Sequence, residues 1–167
     1  MAKVGIVIGS KNDIRKIKDC INTLKELDLE FEIKILSAHR TPQDLSEFAT
    51  DAKKNGFDVI IAAAGMSAHL AGAIASKTII PVIAIPLDVK LGGIDSLLST
   101  VNMPPLIPVA CVGIDSSKNA AILAAQIIAL KDEKLYYKLI KMRENIRQEI
   151  IKINEKLNKD LDNLLND

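Results

Sequence analysis

Two histidines are the residues of this chain best suited to proton transfer, and each follows an apolar run. His39 stands within the segment Ser37 to Pro42, directly after one such run, and His69 stands shortly after the run 59–64. An imidazole with an unperturbed pKa of about 6.5 can accept or donate a proton near neutral pH. Because neither histidine has a set of Cys or carboxylate ligands nearby, we expect proton transfer and no metal site.

Groups able to hold a phosphate or a carboxylate stand beside these histidines. Ser37 and Arg40 flank His39, and Ser10 follows the first apolar run, where Gly9 lets the backbone approach a ligand. Asp13 has the wrong charge for a phosphate but suits the hydroxyls of a sugar. The alternative is that the hydroxyl and carboxyl side chains only cap helices, with His and Arg at the surface. The residues alone therefore indicate, at most, a small phosphate-bearing ligand and histidine acid/base chemistry.

Strands must position these segments, and the hydrophobic pattern predicts where the strands lie. Continuous apolar runs predict five strands, at about 4–8, 31–36, 59–64, 81–86 and 108–112. Apolar residues at spacings of three and four predict the helices between them, at about 13–28, 45–52, 70–75, 95–101 and 119–130. We expect Asn55-Gly56 to cap the second helix. Right-handed crossovers would make one parallel sheet, a flavodoxin-like three-layer α/β sandwich whose ligands bind at the carboxyl ends of the strands.

From about Asp132 the pattern changes to one long charged helix with an apolar stripe. The stripe consists of Leu135, Leu139, Met142, Ile146, Ile150, Ile153, Leu157, Leu161 and Leu164. A helix of this length, about 50 Å, exceeds the diameter of so small a domain. We expect residues 1–130 to form a single sandwich domain and 131–167 a helical extension in the interface of a homo-oligomer. Alternatively, the stripe folds back over its own core and its end frays.

Composition excludes several classes of function. The 167 residues suffice for one domain, and a net charge of +1 favours neither nucleic acid nor an anionic membrane. With only 3% aromatic residues and no Trp, base-stacking surfaces are not expected. Cys20 and Cys111 are widely separated and show no pairing or metal-binding pattern, so we expect reduced thiols. No apolar run approaches the ~20 residues that a membrane-spanning helix needs, and no leader pattern is seen. The sequence therefore predicts a cytoplasmic protein.

Five segments, in order, resemble the 5-(carboxyamino)imidazole ribonucleotide mutase family of purine biosynthesis between about residues 3 and 145. They are Gly9-Ser10-Lys11-Asn12-Asp13, Ser37-Ala38-His39-Arg40-Thr41-Pro42, Ala64-Gly65-Met66-Ser67-Ala68-His69-Leu70, Asp95-Ser96-Leu97-Leu98-Ser99 with Met103-Pro104, and Asn119-Ala120-Ala121-Ile122-Leu123-Ala124-Ala125-Gln126. The second and third segments together are highly specific for the family.

The resemblance implies an enzyme that moves a carboxylate from the exocyclic nitrogen of an aminoimidazole ribonucleotide to a ring carbon, with no cofactor. The residue matching the proposed acid/base is His39. Residues matching substrate-binding positions are Ser10, Ser37 and Arg40 on the phosphate side, Asp13 at the ribose, and Ala64, Gly65 and His69 around the liberated carbon dioxide. The family is typically octameric.

Some residues depart from the family pattern and keep alternatives open. Asn12, Ile14, Met66 and Leu106 replace the family's usual residues, and Met66 would narrow or reshape the carbon dioxide slot. Related carboxylases that use free carbon dioxide carry Lys after Ala-His and lack the second histidine, so Arg40 and His69 favour the mutase. The alternatives are such a carboxylase and a non-catalytic sandwich that binds a phosphoribosyl ligand.

Overall fold

A five-stranded parallel sheet forms the centre of the molecule. The computed structural model describes the backbone of residues 2–164 and the side chains of residues 2–157 and 161. The strands are β1 (Lys3–Ile8), β2 (Glu30–Ile35), β3 (Phe57–Gly65), β4 (Val82–Leu87) and β5 (Ala110–Cys111). Their order in the sheet is β2-β1-β3-β4-β5, and all neighbouring pairs are parallel. This is the flavodoxin-like topology that the sequence predicts, with its switch point between β1 and β3.

Helices alternate with the strands along the chain. They are α1 (Lys18–Glu26), α2 (Pro42–Thr50), α3 (Leu70–Ala75), α4 (Ile94–Val101), α5 (Ser117–Ala129) and α6 (Glu133–Leu164). The predicted first helix begins later than expected, because the segment Lys11–Arg15 forms a separate 3-10 turn that is capped by the Ser10 side chain. The Ser10 hydroxyl accepts a hydrogen bond from the backbone of Asn12 and so favours this tighter turn.

Burial explains why the central strands are apolar throughout. Nearly every residue of β1 and β4 is buried, as expected where helices cover both faces of a parallel sheet. Strand β2 is half-buried or exposed along its length because it lies at the sheet edge. Cys20 is fully buried, and burial raises the pKa of its thiol to about 12, so it behaves as the small hydrophobic residue that the sequence predicts.

Two boundaries differ from the sequence prediction for physical reasons. Helix α2 ends at Thr50, with Asp51 in a right-handed conformation, so Gly56 does not cap it. Gly56 instead provides a left-handed residue (φ 79°) in the turn just before β3. Strand β5 pairs with β4 over only two residues, Ala110 and Cys111.

The contacts of the chain divide it into two compact units, one through Ile128 and one from Ala129 onward. In the second unit, the Asp132 carboxylate accepts the backbone N–H of Leu135 at 2.9 Å and caps α6. The later part of the apolar stripe is exposed, at Ile146, Ile150, Ile153, Leu157 and Leu161. The side chain of Leu164 and residues 165–167 lie outside the described residues. Within residues 2–164, no helix has the length and hydrophobicity needed to cross a membrane.

Candidate active site

A cavity of about 920 Å³ opens where the carboxyl ends of β1, β2, β3 and β4 meet. All eight site residues predicted from the sequence line it. They are Ser10, Asp13, Ser37, His39, Arg40, Ala64, Gly65 and His69. The cavity therefore lies at the switch point of the sheet, where ligands bind in open α/β folds.

The loop after β1 contributes a capping serine and a partly buried carboxylate. The backbone N–H of Asp13 donates to the Ser10 carbonyl at 3.1 Å and closes the turn. Burial raises the pKa of the Asp13 carboxyl, although a backbone hydrogen bond from Ser10 and the positive charges of Arg40 and Lys16 oppose this. Because burial removes water from the Asp13 carboxylate, a ligand hydroxyl that donates a hydrogen bond to it would replace the missing water contacts and so bind favourably.

The loop after β2 is a closed turn that presents a guanidinium. The Ser37 backbone donates to the Thr41 hydroxyl at 2.9 Å, and the Arg40 backbone donates to the Ser37 hydroxyl at 3.1 Å. Pro42 then begins α2, where its missing N–H costs nothing. The Arg40 side chain crosses to the neighbouring loop and donates to the Gly9 carbonyl at 2.8 Å. In this one turn, the Ser37 and Thr41 hydroxyls accept backbone hydrogen bonds, and Arg40 brings its positive charge into the cavity.

The two histidines of the chain are hydrogen-bonded to each other inside the cavity. His39 Nε2 lies 2.9 Å from His69 Nδ1, and the ring centroids are 5.1 Å apart with the planes inclined by 70°. One of these nitrogens must carry the proton and the other must accept it. A proton can therefore pass between the two rings, so the pair can serve as one acid/base unit.

The end of β3 and the loop that follows it bring the backbone close to the opposite wall. A Cβ added to Gly65 would lie 2.3 Å from the Val89 side chain, so only glycine fits there without displacing Val89. Met66, which replaces the family's usual residue, has a left-handed φ of 55°, lines the cavity and is 52% exposed. Its carbonyl accepts the Ala68 N–H at 2.8 Å and holds the turn that leads to His69.

Sequence reasoning missed three cavity residues, Lys16, Asp88 and Val89. Asp88 and Val89 directly follow β4, so the rule that located the other three loops also applies to them. Lys16 donates to Asp115 at 2.6 Å, and this hydrogen bond raises the pKa of its ammonium group. Among the described residues, no three His, Cys, Asp or Glu side chains converge as a metal site would require.

Comparison with known proteins finds relatives that match most of the chain. A protein of Methanocaldococcus jannaschii named N5-carboxyaminoimidazole ribonucleotide mutase is 50% identical over 152 residues, which cover 91% of this chain and 95% of that protein. A protein of Pyrococcus abyssi with the same name is 49% identical over 149 residues, covering 89% of this chain and 86% of the relative.

Solved structures and a family model agree with these relatives. The crystal structure of Treponema denticola PurE superposes with a TM-score of 0.84 at 29% identity, covering 94% of this chain and 99% of that one. The model of the family described as AIR carboxylase matches residues 3–149, which include every strand of the sheet and every predicted site residue. The chain therefore belongs to the AIR carboxylase family.

Proposed function

We propose that the protein is an N5-carboxyaminoimidazole ribonucleotide mutase of purine biosynthesis. The observation that carries the proposal is the hydrogen-bonded pair His39 and His69, in one cavity with the cation Arg40 and the carboxylate Asp13. Relatives bearing the mutase name, at 42–50% identity over most of the chain, support it over a carboxylase that uses free carbon dioxide.

The cavity offers a place for each part of such a nucleotide. Arg40, with the Ser10 and Ser37 hydroxyls, can hold the phosphate through charge-assisted and neutral hydrogen bonds. The desolvated carboxylate of Asp13 can accept hydrogen bonds from the ribose hydroxyls. The aminoimidazole ring would then lie toward the histidine pair and toward Ala64 and Gly65 at the end of β3, which line the same cavity.

The reaction needs one proton carrier and a sheltered site for carbon dioxide. The bond between the carboxylate and the exocyclic nitrogen breaks, carbon dioxide separates, and His39 gives a proton to that nitrogen. The ring carbon then bonds to carbon dioxide, and the ring proton returns to His39, so protons balance over the cycle. His69 holds the His39 ring through their 2.9 Å hydrogen bond and lines the same cavity as Ala64 and Gly65, where we expect the carbon dioxide to be held. Carbon dioxide free in water would diffuse away, so excluding water from the slot is part of catalysis.

A direct assay tests this function. The wild-type protein should convert the carboxyamino nucleotide to the ring-carboxylated product with ATP and metal withheld. His39→Asn should lower turnover by about 10²–10⁴-fold, because it removes the acid/base, while leaving nucleotide affinity largely unchanged. Faster turnover of aminoimidazole ribonucleotide with bicarbonate would identify a carboxylase instead. Binding of the nucleotide without conversion by the wild-type protein would identify a non-catalytic sandwich.

We further propose that residues 1–130 form the catalytic domain and that 131–167 join copies of the chain into a homo-oligomer, an octamer by resemblance to the family. Support comes from the stripe on α6, in which apolar residues recur every eleven positions, as in Leu135, Ile146 and Leu157. An eleven-residue period of 3.67 residues per turn is close to the 3.6 of a straight α-helix, so the stripe drifts only slowly around α6 and can pair with another helix through a slight right-handed supercoil. The proposed biosynthetic role places the protein in the cytoplasm, where thiols stay reduced.

A further inference from the structure

Three segments far apart in sequence are joined at one edge of the cavity through Asp115. One carboxylate oxygen accepts from the Lys16 ammonium at 2.6 Å, and the other accepts from the backbone N–H of Asp88 at 3.1 Å. Lys16 follows β1, Asp88 follows β4 and Asp115 follows β5, so this bridge connects the ends of three strands. We call the contact of Lys16, Asp115 and Asp88 the carboxylate bridge.

The backbone around Asp115 is shaped to make these contacts. Asp115 has a left-handed φ of 53°, a conformation in which Asp and Asn are enriched among residues other than glycine. Its own N–H donates to the Pro86 carbonyl at 2.9 Å, so backbone and side chain both contact the end of β4. Asp115 therefore contacts the chain on both sides of Leu87, at Pro86 through its backbone and at Asp88 through its side chain.

The segment held in this way is one wall of the cavity. Val89 follows Asp88 directly and lies against Gly65, with its side chain where a Gly65 Cβ would be. Val89 is itself 48% exposed, so packing alone leaves it free to swing toward solvent. The carboxylate bridge holds the residue directly before Val89, so it is the contact that can restrain this segment.

We propose that Lys16 and Asp115 are positioning residues that hold the Val89 wall against Gly65 and thereby retain carbon dioxide between its release and its recapture. The proposal rests on the proposed mutase function. When the wall loosens, carbon dioxide leaves after the carbon–nitrogen bond has broken. The nitrogen keeps the proton received from His39, His39 regains a proton from water, and the product is the decarboxylated aminoimidazole ribonucleotide, with no carboxylated ring formed in that turnover.

The test measures how turnover divides between the carboxylated and the decarboxylated product. Lys16→Met removes the cation, and Asp115→Asn removes the anion while keeping an acceptor for Asp88 and a residue suited to the left-handed backbone. Each should raise the decarboxylated fraction about two- to fivefold, the effect expected for a partly exposed ion pair. The double variant should equal either single variant, because both remove the same contact.

Two further variants separate this role from a general effect of charge. Lys16→Arg keeps a cation within reach of Asp115 and should restore most of the wild-type ratio. Lys18→Met removes an exposed lysine that does not line the cavity and should leave the ratio unchanged. In Lys16→Met, the Asp88 amide should also exchange its hydrogen faster than in the wild type, which is a readout independent of turnover.

The outcomes distinguish the bridge from the function on which it depends. Suppose that the wild-type enzyme forms carboxylated product and that Lys16→Met and Asp115→Asn show the same product ratio as the wild type. The bridge proposal is then refuted, and the mutase function stands. If the effect of the double variant equals the two single effects combined, the two residues act separately and the bridge is again refuted. If the wild-type protein forms no carboxylated product at all, the proposed function fails first.

Discussion

Replacing Gly65 by alanine tests whether the wall of the cavity is built as described. The added Cβ would lie 2.3 Å from one methyl carbon of Val89, 2.9 Å from its Cβ and 3.3 Å from the Leu87 carbonyl oxygen. Ordinary carbon–carbon contacts begin at about 3.5 Å, so the Val89 side chain must move by about 1 Å or more. Because Leu87 belongs to β4, the strand cannot move away without breaking its pairing, and the displacement falls on Val89.

The size of the effect follows from this geometry. Inserting a methyl group into a filled space costs about 1–3 kcal/mol, which lowers the melting temperature of a domain of this size by about 2–12 °C. We expect the lower half of that range, since Val89 is half exposed and can yield. The loss of activity should be larger than this loss of stability alone would cause. A displacement of about 1 Å beside reacting groups can cost up to about 100-fold in rate, so kcat/KM should drop by about 10- to 100-fold.

The assay combines thermal unfolding with steady-state kinetics for three variants. Gly56→Ala is the matched control, because its left-handed φ of 79° makes alanine costly by about 1–2 kcal/mol while nothing lies within 4 Å of the added Cβ. It should lower the melting temperature without changing kcat/KM. Val89→Ala combined with Gly65→Ala should recover part of the activity, since it removes the 2.3 Å contact but leaves the one at 2.9 Å.

Wild-type kinetics in Gly65→Ala would refute the reasoning, because the wall could then move without consequence for catalysis. Equal losses of kcat/KM in Gly65→Ala and in Gly56→Ala would also refute it. That result would trace the loss to stability and not to the position of Val89.

Three further predictions concern the remaining parts of the molecule. Arg40→Ala should weaken nucleotide binding by about 1.5–3 kcal/mol, a rise in Kd of about 10- to 150-fold by calorimetry, and unchanged affinity would contradict its role at the phosphate. Because burial raises the pKa of Asp13 above its ordinary value of 3.8, its ionised form destabilises the fold. Asp13→Asn should therefore melt higher than the wild type near pH 7 and lose this advantage below about pH 3.8, and an advantage that persists in acid would contradict the explanation. Ile153→Glu on α6 should reduce the particle mass seen by light scattering, whereas Asn154→Glu, off the stripe, should not; equal masses would remove the stripe from the interface.

The sequence located most of the loops that line the cavity because the signals for them are local. Ser37 and His39 follow one apolar run, and His69 follows another a few residues after its end. Each run marks a strand, and parallel strands bring their carboxyl ends to one edge of the sheet. The same reasoning extends to Asp88 after β4, although that loop has no histidine or arginine to draw attention to it. Hence the sequence located the cavity loops that carry a histidine or an arginine, and it missed the loop after β4, which carries neither.

The missed features depend on contacts that no local pattern encodes. Lys16 and Asp115 are separated by 99 residues, and their pairing requires both the sheet order and the left-handed backbone at Asp115. The 3-10 turn at Lys11–Arg15 likewise departs from the predicted helix because the Ser10 cap outweighs an apolar spacing that begins only weakly at Ile14, itself 39% exposed. Reactive residues at the end of a strand can be recognised from the sequence around them. The packing of Val89 against Gly65 cannot, because it depends on where both β3 and β4 end. For a reaction that must hold a small neutral molecule between two steps, we therefore expect residues without chemical reactivity to decide how much carbon dioxide is lost, while His39 decides whether it is released at all.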